Sequence, residues 1–88
     1  MEFEWDETKR QLVLAKHGID FVRAARVFRL PHIILKSSFE SEERWIAVGI
    51  SNGEYIAVVF TVRRKAIRII TARKARKNER RQYHARYS

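Results

Sequence analysis

The dipeptide Asn52-Gly53 is the feature that most constrains the fold of this 88-residue chain. It separates two apolar runs, residues 43–50 and 55–62, in which alternate side chains would share one face of a sheet. Asn-Gly readily supplies the two positive φ angles of a type I′ turn, which joins antiparallel strands through two residues. The sequence therefore predicts a β-hairpin in which Ser51 lies opposite Glu54.

Further strands and helices are predicted on both sides of this hairpin. A short strand over residues 2–5 precedes helices over 7–16 and 21–29, and these begin after the N-cap residues Asp6 and Asp20. The residues expected to face the core are Thr8, Leu12 and Ala15 in the first helix and Phe21, Ala24, Ala25 and Phe28 in the second. The other predicted elements are a strand over 33–35, a polar loop over 37–42, a strand over 66–73 and a helix over 74–87.

This order, β-α-α-β-β-β-β-α, predicts one α+β domain over residues 1–88. The sheet is expected to be twisted and mostly antiparallel, with two N-terminal helices and a basic C-terminal helix. The chain has no cysteine, which excludes disulfides and thiolate metal sites. It has no apolar run of about 18 residues, and its acidic start lacks the apolar core of a signal peptide, so a cytoplasmic location is expected.

The charge is concentrated in the last third of the sequence. Residues 1–62 hold eight Lys/Arg and nine Asp/Glu, whereas residues 63–88 hold eleven Lys/Arg and one Glu. A near-neutral body with one strongly basic segment is typical of a protein that binds a polyanion. An acidic protein partner would satisfy the same charge, and a solvated basic helix without a partner is the plainest alternative.

Short motifs along nearly the whole chain together carry a family resemblance. They are Phe3-Glu4-Trp5-Asp6, Lys16-His17-Gly18-Ile19, Phe21 with Ala24 and Val27-Phe28, Glu43-Arg44, Gly49, Thr61 with Arg63, Arg68-Ile69-Ile70, Ala72-Arg73, Glu79-Arg80 and Tyr83. In this order they resemble the BrnT family of ribonuclease toxins, although no single motif is specific. One position departs from the family pattern, because Val13 stands where the family usually has Asn, three residues before Lys-His-Gly.

The resemblance implies a RelE-like fold and the toxin half of a type II toxin–antitoxin pair. It implies an RNA substrate and inhibition of translation and growth. It also implies a cognate antitoxin protein, similar to BrnA, that silences the toxin in a heteromeric complex able to bind operator DNA. No membrane association is expected.

Metal-free RNA cleavage needs a base for the 2′-hydroxyl proton, cations for the charge growing on the phosphate, and an acid for the leaving 5′-oxygen. The sequence shows no Asp/His/Glu cluster at metal-ligand spacing, which favours this route with no cofactor. The hairpin register puts Arg44 opposite Thr61 and therefore near Arg63, and arginine suits a phosphate because its planar fork binds two oxygens. The predicted catalytic residues are Arg44 and Arg63 as a phosphate clamp and His17 as a general acid or base.

A second set of residues is predicted to bind RNA, with the tyrosine stacking on a base: Lys16, Arg68, Arg73, Arg76, Lys77 and Tyr83. Arg73 is expected roughly 30 Å from Arg63 along the last strand, too far for both to hold one phosphate.

Each of these predictions has an open alternative. Arg44 could pair with Glu42 or Glu43, and Arg63 could be a solvated turn residue. His17 could cap its helix, Lys16 could lie in solvent, and Tyr83 could belong to the core. For the whole chain, the alternatives are a small non-catalytic nucleic-acid-binding module and a degenerate toxin that binds only its antitoxin.

Overall fold

The computed structural model describes residues 2–37 and 43–87. Its elements are β1 Glu2–Glu4, α1 Glu7–His17, α2 Phe21–Arg26, a 3₁₀ turn Val27–Arg29, β2 His32–Lys36, β3 Trp45–Ser51, β4 Glu54–Arg63, β5 Ala66–Lys74 and α3 Lys77–Tyr87. The predicted α+β class and order of elements are confirmed. Most of the predicted polar loop over 37–42 lies outside the described residues.

The strands form one sheet in the order β1-β5-β4-β3-β2. All neighbours pair antiparallel except β1 and β5, which run parallel with Glu2 opposite Ala66. The predicted hairpin is confirmed, because Ser51 pairs with Glu54 and the turn residues Asn52 and Gly53 have φ angles of 50° and 77°. The strand polarity therefore follows from the local turn chemistry identified in the sequence.

The N-terminal helices begin at the predicted caps. The carboxylate of Asp6 accepts a hydrogen bond from Lys9 N, and that of Asp20 accepts one from Val22 N, both at 3.0 Å. Gly18 ends α1 in the left-handed conformation at φ 70°. The predicted second helix remains α-helical only to Arg26 and then tightens into the 3₁₀ turn.

The predicted inward face of α1 is wrong. Leu12 is 63% exposed, and Thr8 and Ala15 are exposed as well, whereas Val13 is 5% exposed and belongs to the main core. Among the strands, α1 packs mainly on β5, so only a narrow line of its surface is covered. Val13 therefore occupies an apolar position in this chain.

Each face of the sheet carries its own apolar cluster. The helices α1 and α2 cover the first face, where the fully buried side chains include Phe21, Ile56 and Val58. The helix α3 covers part of the second face, where Val48 and Ala57 are buried. Because α3 contacts mainly β2 and β3, the second face stays open over β4 and β5.

The junction between β5 and α3 lies later in the chain than predicted. The strand continues to Lys74, and the helix begins only at Lys77. The backbone N–H of Ala75 donates to the carbonyl of Tyr55 at 2.9 Å, which extends the pairing beyond the strand. The carboxylate of Glu79 then accepts from the N–H of Arg76 and defines the start of the helix.

Candidate nucleic-acid interface

A concave band, here called the basic groove, is lined by residues of α1, β5 and α3 and by Arg44 before β3. It consists of four adjoining cavities that share lining residues, and the largest has a volume of about 530 Å³. Its basic lining residues are Lys9, Lys16, His17, Lys36, Arg44, Arg68, Arg73, Lys74 and Arg76. The acidic residues among the lining are Asp6 and Glu79. The groove is therefore a strongly cationic surface in the described part of the chain.

A β-bulge in β5 brings two of these arginines to the same side of the sheet. Arg68 and Arg73 are five residues apart, so in a regular strand their side chains would point to opposite faces. The pairing jumps from Phe60–Ile69 to Val59–Thr71, which leaves Ile70 as an extra residue. Both arginines consequently line the basic groove.

Arg44, in the segment before β3, lines two adjoining cavities of the groove. It follows Glu43, whose carbonyl accepts a hydrogen bond of 2.7 Å from the Thr61 hydroxyl, in agreement with the predicted register. Arg44 lines one cavity together with Arg68 and the adjoining cavity together with Arg73. A side chain at this position can contact the same bound anion as either of these arginines.

Arg63 lies at the end of the β4–β5 hairpin, opposite Ala66, and is exposed. It is not among the lining residues of the four cavities that form the groove. Since Ala66 faces Arg63, the separation from Arg63 to Arg73 is closer to seven residues of strand, or about 23 Å, than to the roughly 30 Å counted along the chain. The two arginines are still too far apart to hold one phosphate.

His17 and Lys16 form the last turn of α1 and contribute a wall of the groove. The His17 ring is half-buried and lines a cavity with Lys16, Arg73 and Arg76. It also lines the neighbouring cavity with Thr71. The structure therefore places an imidazole beside the arginines of the groove.

Arg73 is bound by a carboxylate. Its Nη1 and Nη2 donate to Oε1 and Oε2 of Glu79 at 2.7 and 2.9 Å, and the Glu79 side chain is almost completely buried. Burial raises the pKa of the Glu79 carboxyl, but the hydrogen bonds from Arg73 and from the Arg76 backbone, with both positive charges, bring that pKa below its ordinary value. The pair therefore contributes fully to stability at neutral pH, and this contribution is lost as the pH falls through the lowered pKa.

The remaining predicted RNA-binding residues occupy different environments. Arg76 lines two cavities of the groove, and Lys77 is exposed at the first position of α3. Tyr83 is only 7% exposed and packs edge-on against Tyr55, so its ring is a core element and does not present a face for a nucleobase. Half-buried Trp45 packs against the main core and has Lys36 Nζ 5.6 Å from its ring centre.

Sequence reasoning missed several residues of the groove, namely Lys9, Lys36, Thr71 and Glu79. Glu79 could have been identified from the sequence, because it is the single acidic residue in the basic last third. A lone carboxylate among so many cations indicates a specific partner, and its partner is Arg73. Lys9 and Lys36 lie at exposed positions and Thr71 at a half-buried strand position, and no local pattern distinguishes them.

The mixed fold and the cation-lined groove together define a small protein of the kind that acts on nucleic acid. The family model described as the ribonuclease toxin BrnT of type II toxin–antitoxin systems matches residues 5–79. The chain therefore belongs to the BrnT family of ribonuclease toxins.

A solved structure agrees with this membership. The chain is similar to the Brucella abortus ribonuclease toxin BrnT, whose crystal structure was determined at 1.1 Å, with 37% identity and a TM-score of 0.70. The match covers 88% of this chain and 99% of the Brucella chain. Comparison with curated proteins gave no match. Within residues 2–37 and 43–87, no helix is long and apolar enough to cross a membrane.

Proposed function

We propose that this chain is a metal-independent endoribonuclease that cleaves RNA in the basic groove. The observation that carries the proposal is that Arg44 before β3, Arg68 and Arg73 of β5, and His17 of α1 line adjoining cavities of one groove. Cations aimed at one place stabilise charge as it develops, and a histidine beside them supplies proton transfer.

The reaction proposed is an internal transfer within the RNA strand. A base removes the proton of a 2′-hydroxyl, whose oxygen attacks the adjacent phosphorus while the bond to the 5′-oxygen breaks. The leaving oxygen takes up a proton, and the products are a 2′,3′-cyclic phosphate and a 5′-hydroxyl end. Arg44 and Arg68 stabilise the phosphate charge in the transition state, with Arg63 flanking them, and His17 performs one of the two proton transfers.

The metal-free route rests on the donors that the groove offers. No group of three or more His, Cys, Asp or Glu side chains placed to hold a metal ion occurs in the described part of the chain. The two carboxylates of the groove are engaged otherwise, since Asp6 caps α1 and Glu79 binds Arg73. Charge stabilisation then falls to the arginines.

The proposal includes a regulatory partner. An antitoxin similar to BrnA would cover the basic groove with acidic side chains in a heteromeric complex, and that complex would bind operator DNA. Such a partner is favoured because its acidic side chains would neutralise cations that repel one another within the groove. Mixing the toxin with its antitoxin is therefore expected to abolish RNA binding and cleavage together.

Cleavage in the presence of a chelator tests the enzymatic proposal directly. The purified chain is expected to cut RNA with EDTA present and to leave 2′,3′-cyclic phosphate ends. The same protein expressed alone is expected to arrest growth. Binding of RNA without cleavage would show a non-catalytic nucleic-acid-binding module instead, and loss of both activities with antitoxin binding retained would show a degenerate toxin.

The salt dependence of RNA affinity tests the location of the groove. Because counterions are released when Lys and Arg neutralise phosphates, the logarithm of affinity falls with the logarithm of salt concentration. Arg76→Ala removes a cation of the groove and is expected to reduce this slope by about one unit. Arg29→Ala removes the same charge from the exposed 3₁₀ turn that follows α2, outside the groove, and serves as the matched control. Equal slopes for the two variants would contradict the assignment.

A further inference from the structure

The docking of α3 on the sheet is unusually polar. Its two buried side chains are Glu79 and Tyr83, one helical turn apart, and no aliphatic side chain of the helix is buried. The remaining anchors are a 2.6 Å hydrogen bond between Tyr55 Oη and His84 Nε2 and a 3.0 Å hydrogen bond from Tyr87 Oη to the His32 carbonyl. Tyr83 and these two hydrogen bonds anchor the middle and the end of the helix, so the contacts of Glu79 determine where its first turn lies.

Glu79 connects the floor and the wall of the groove through one carboxylate. Its two oxygens hold both terminal nitrogens of Arg73, and Oε1 also accepts from the backbone N–H of Arg76 at 2.7 Å. Arg73 comes from β5 in the groove floor, and Arg76 precedes α3 in the groove wall. A bidentate contact fixes the plane of a guanidinium, which a single hydrogen bond does not.

The fixed guanidinium keeps donors for a ligand. Arginine has five N–H donors; the contact with Glu79 uses two of them, and the Lys74 carbonyl accepts a third at 3.4 Å. Arg73 retains 18% of its side-chain exposure and lines the cavities that contain Arg44 and His17. Arg73 therefore borders the region in which the proposed reaction takes place while its guanidinium is held by Glu79.

We infer that Glu79 is a positioning residue, which orients Arg73 and the first turn of α3 so that the groove matches the transition state of RNA cleavage. This inference rests on the proposed function and adds to it a residue that does not contact the substrate. A carboxylate in a cationic RNA site opposes RNA binding electrostatically, so its benefit lies in orientation. A variant without this carboxylate is then expected to bind RNA at least as well as the wild type but to cleave it more slowly.

The test compares binding with single-turnover cleavage for Glu79→Gln. This variant removes one negative charge from the groove, so RNA affinity is expected to stay equal or to increase. The cleavage rate is expected to fall by about 10- to 100-fold, the size of effect found for groups that orient catalytic ligands. Arg73→Lys keeps the charge but loses the planar fork and is expected to show the same slow cleavage. The double variant is expected to lose little more than either single one, because the two groups act as a unit.

Amide hydrogen exchange of α3 and the control Tyr87→Phe separate positioning from simple unfolding. Tyr87→Phe removes a surface anchor of α3 without touching the groove, and its cleavage rate is expected to equal that of the wild type. Retained protection of α3 in Arg73→Lys together with slow cleavage supports the inference. Wild-type cleavage rates in both Glu79→Gln and Arg73→Lys overturn it while leaving the proposed function intact. A wild-type chain that binds RNA but never cleaves it overturns the proposed function, and the inference with it.

Discussion

Arg44→Ala is expected to slow single-turnover cleavage of a short RNA by about 10²–10³-fold, the loss seen when one preorganised transition-state donor is removed. The reason is its position, because Arg44 lines one cavity with Arg68 and the adjoining one with Arg73. Arg68→Ala is expected to show a similar loss. If both arginines hold one phosphate, as proposed, the double variant is expected to lose much less than the product of the two.

Substitutions of two further arginines provide comparisons for the cleavage rate of Arg44→Ala. Arg63→Ala is expected to have a smaller effect than Arg44→Ala, because Arg63 lies at the exposed hairpin end beyond the groove. Arg29→Ala removes an equal charge from outside the groove and is expected to cleave at the wild-type rate. Circular dichroism verifies that each variant is folded. A larger loss for Arg63→Ala than for Arg44→Ala would move the phosphate site from the groove to the hairpin turn.

His17→Ala is expected to reduce the cleavage rate by about 10²–10⁴-fold, the usual contribution of a positioned acid or base. The substitution is also expected to remove one limb of the pH–rate profile, because the proposed proton-transfer group is absent from the variant. Binding of RNA is expected to change little. These measurements use the same short RNA and single-turnover conditions as the arginine variants.

His84→Ala is the matched control for His17. His84 is exposed on α3 and shares its hydrogen bond with Tyr55, away from the groove. Its replacement is expected to leave both the rate and the pH profile as in the wild type. If His17→Ala retains the wild-type pH profile and only lowers thermal stability, then His17 is a helix cap, for which a loss of about 0.3–1 kcal/mol is typical.

Local chemistry explains which parts of the fold were predictable. The Asn52-Gly53 turn and the aspartate caps at Asp6 and Asp20 depend on neighbours in sequence, and the structure confirms all three. The buried face of α1 depends on how that helix lies against β5, which no helical periodicity specifies. The core residue of α1 is therefore Val13, and not Leu12 as predicted.

The groove was less predictable because its decisive contacts depend on how β5 pairs with β4 and on the direction in which α3 leaves β5. The extra residue Ile70 puts Arg68 and Arg73 on one side, and a one-residue bulge leaves no reliable mark in a sequence rich in β-branched residues. The pairing of Arg73 with Glu79 depends on the angle at which α3 leaves β5. Sequence reasoning found most of the cations, and the structure determines which of them share a cavity.

The parallel pairing of β1 with β5 has a consequence for the synthesis of this toxin. Residues 2–4 pair with residues 66–68, so the first strand has no neighbour until residues 66–68 have left the ribosome. The helix α1, with Lys16 and His17, depends on the same late strand for its packing. Contacts between such distant segments form late in folding. A chain that ends before residue 66 thus lacks β5, the floor of the groove, and the strand on which α1 packs, so the proposed RNA-binding groove forms only after β5 has been synthesised.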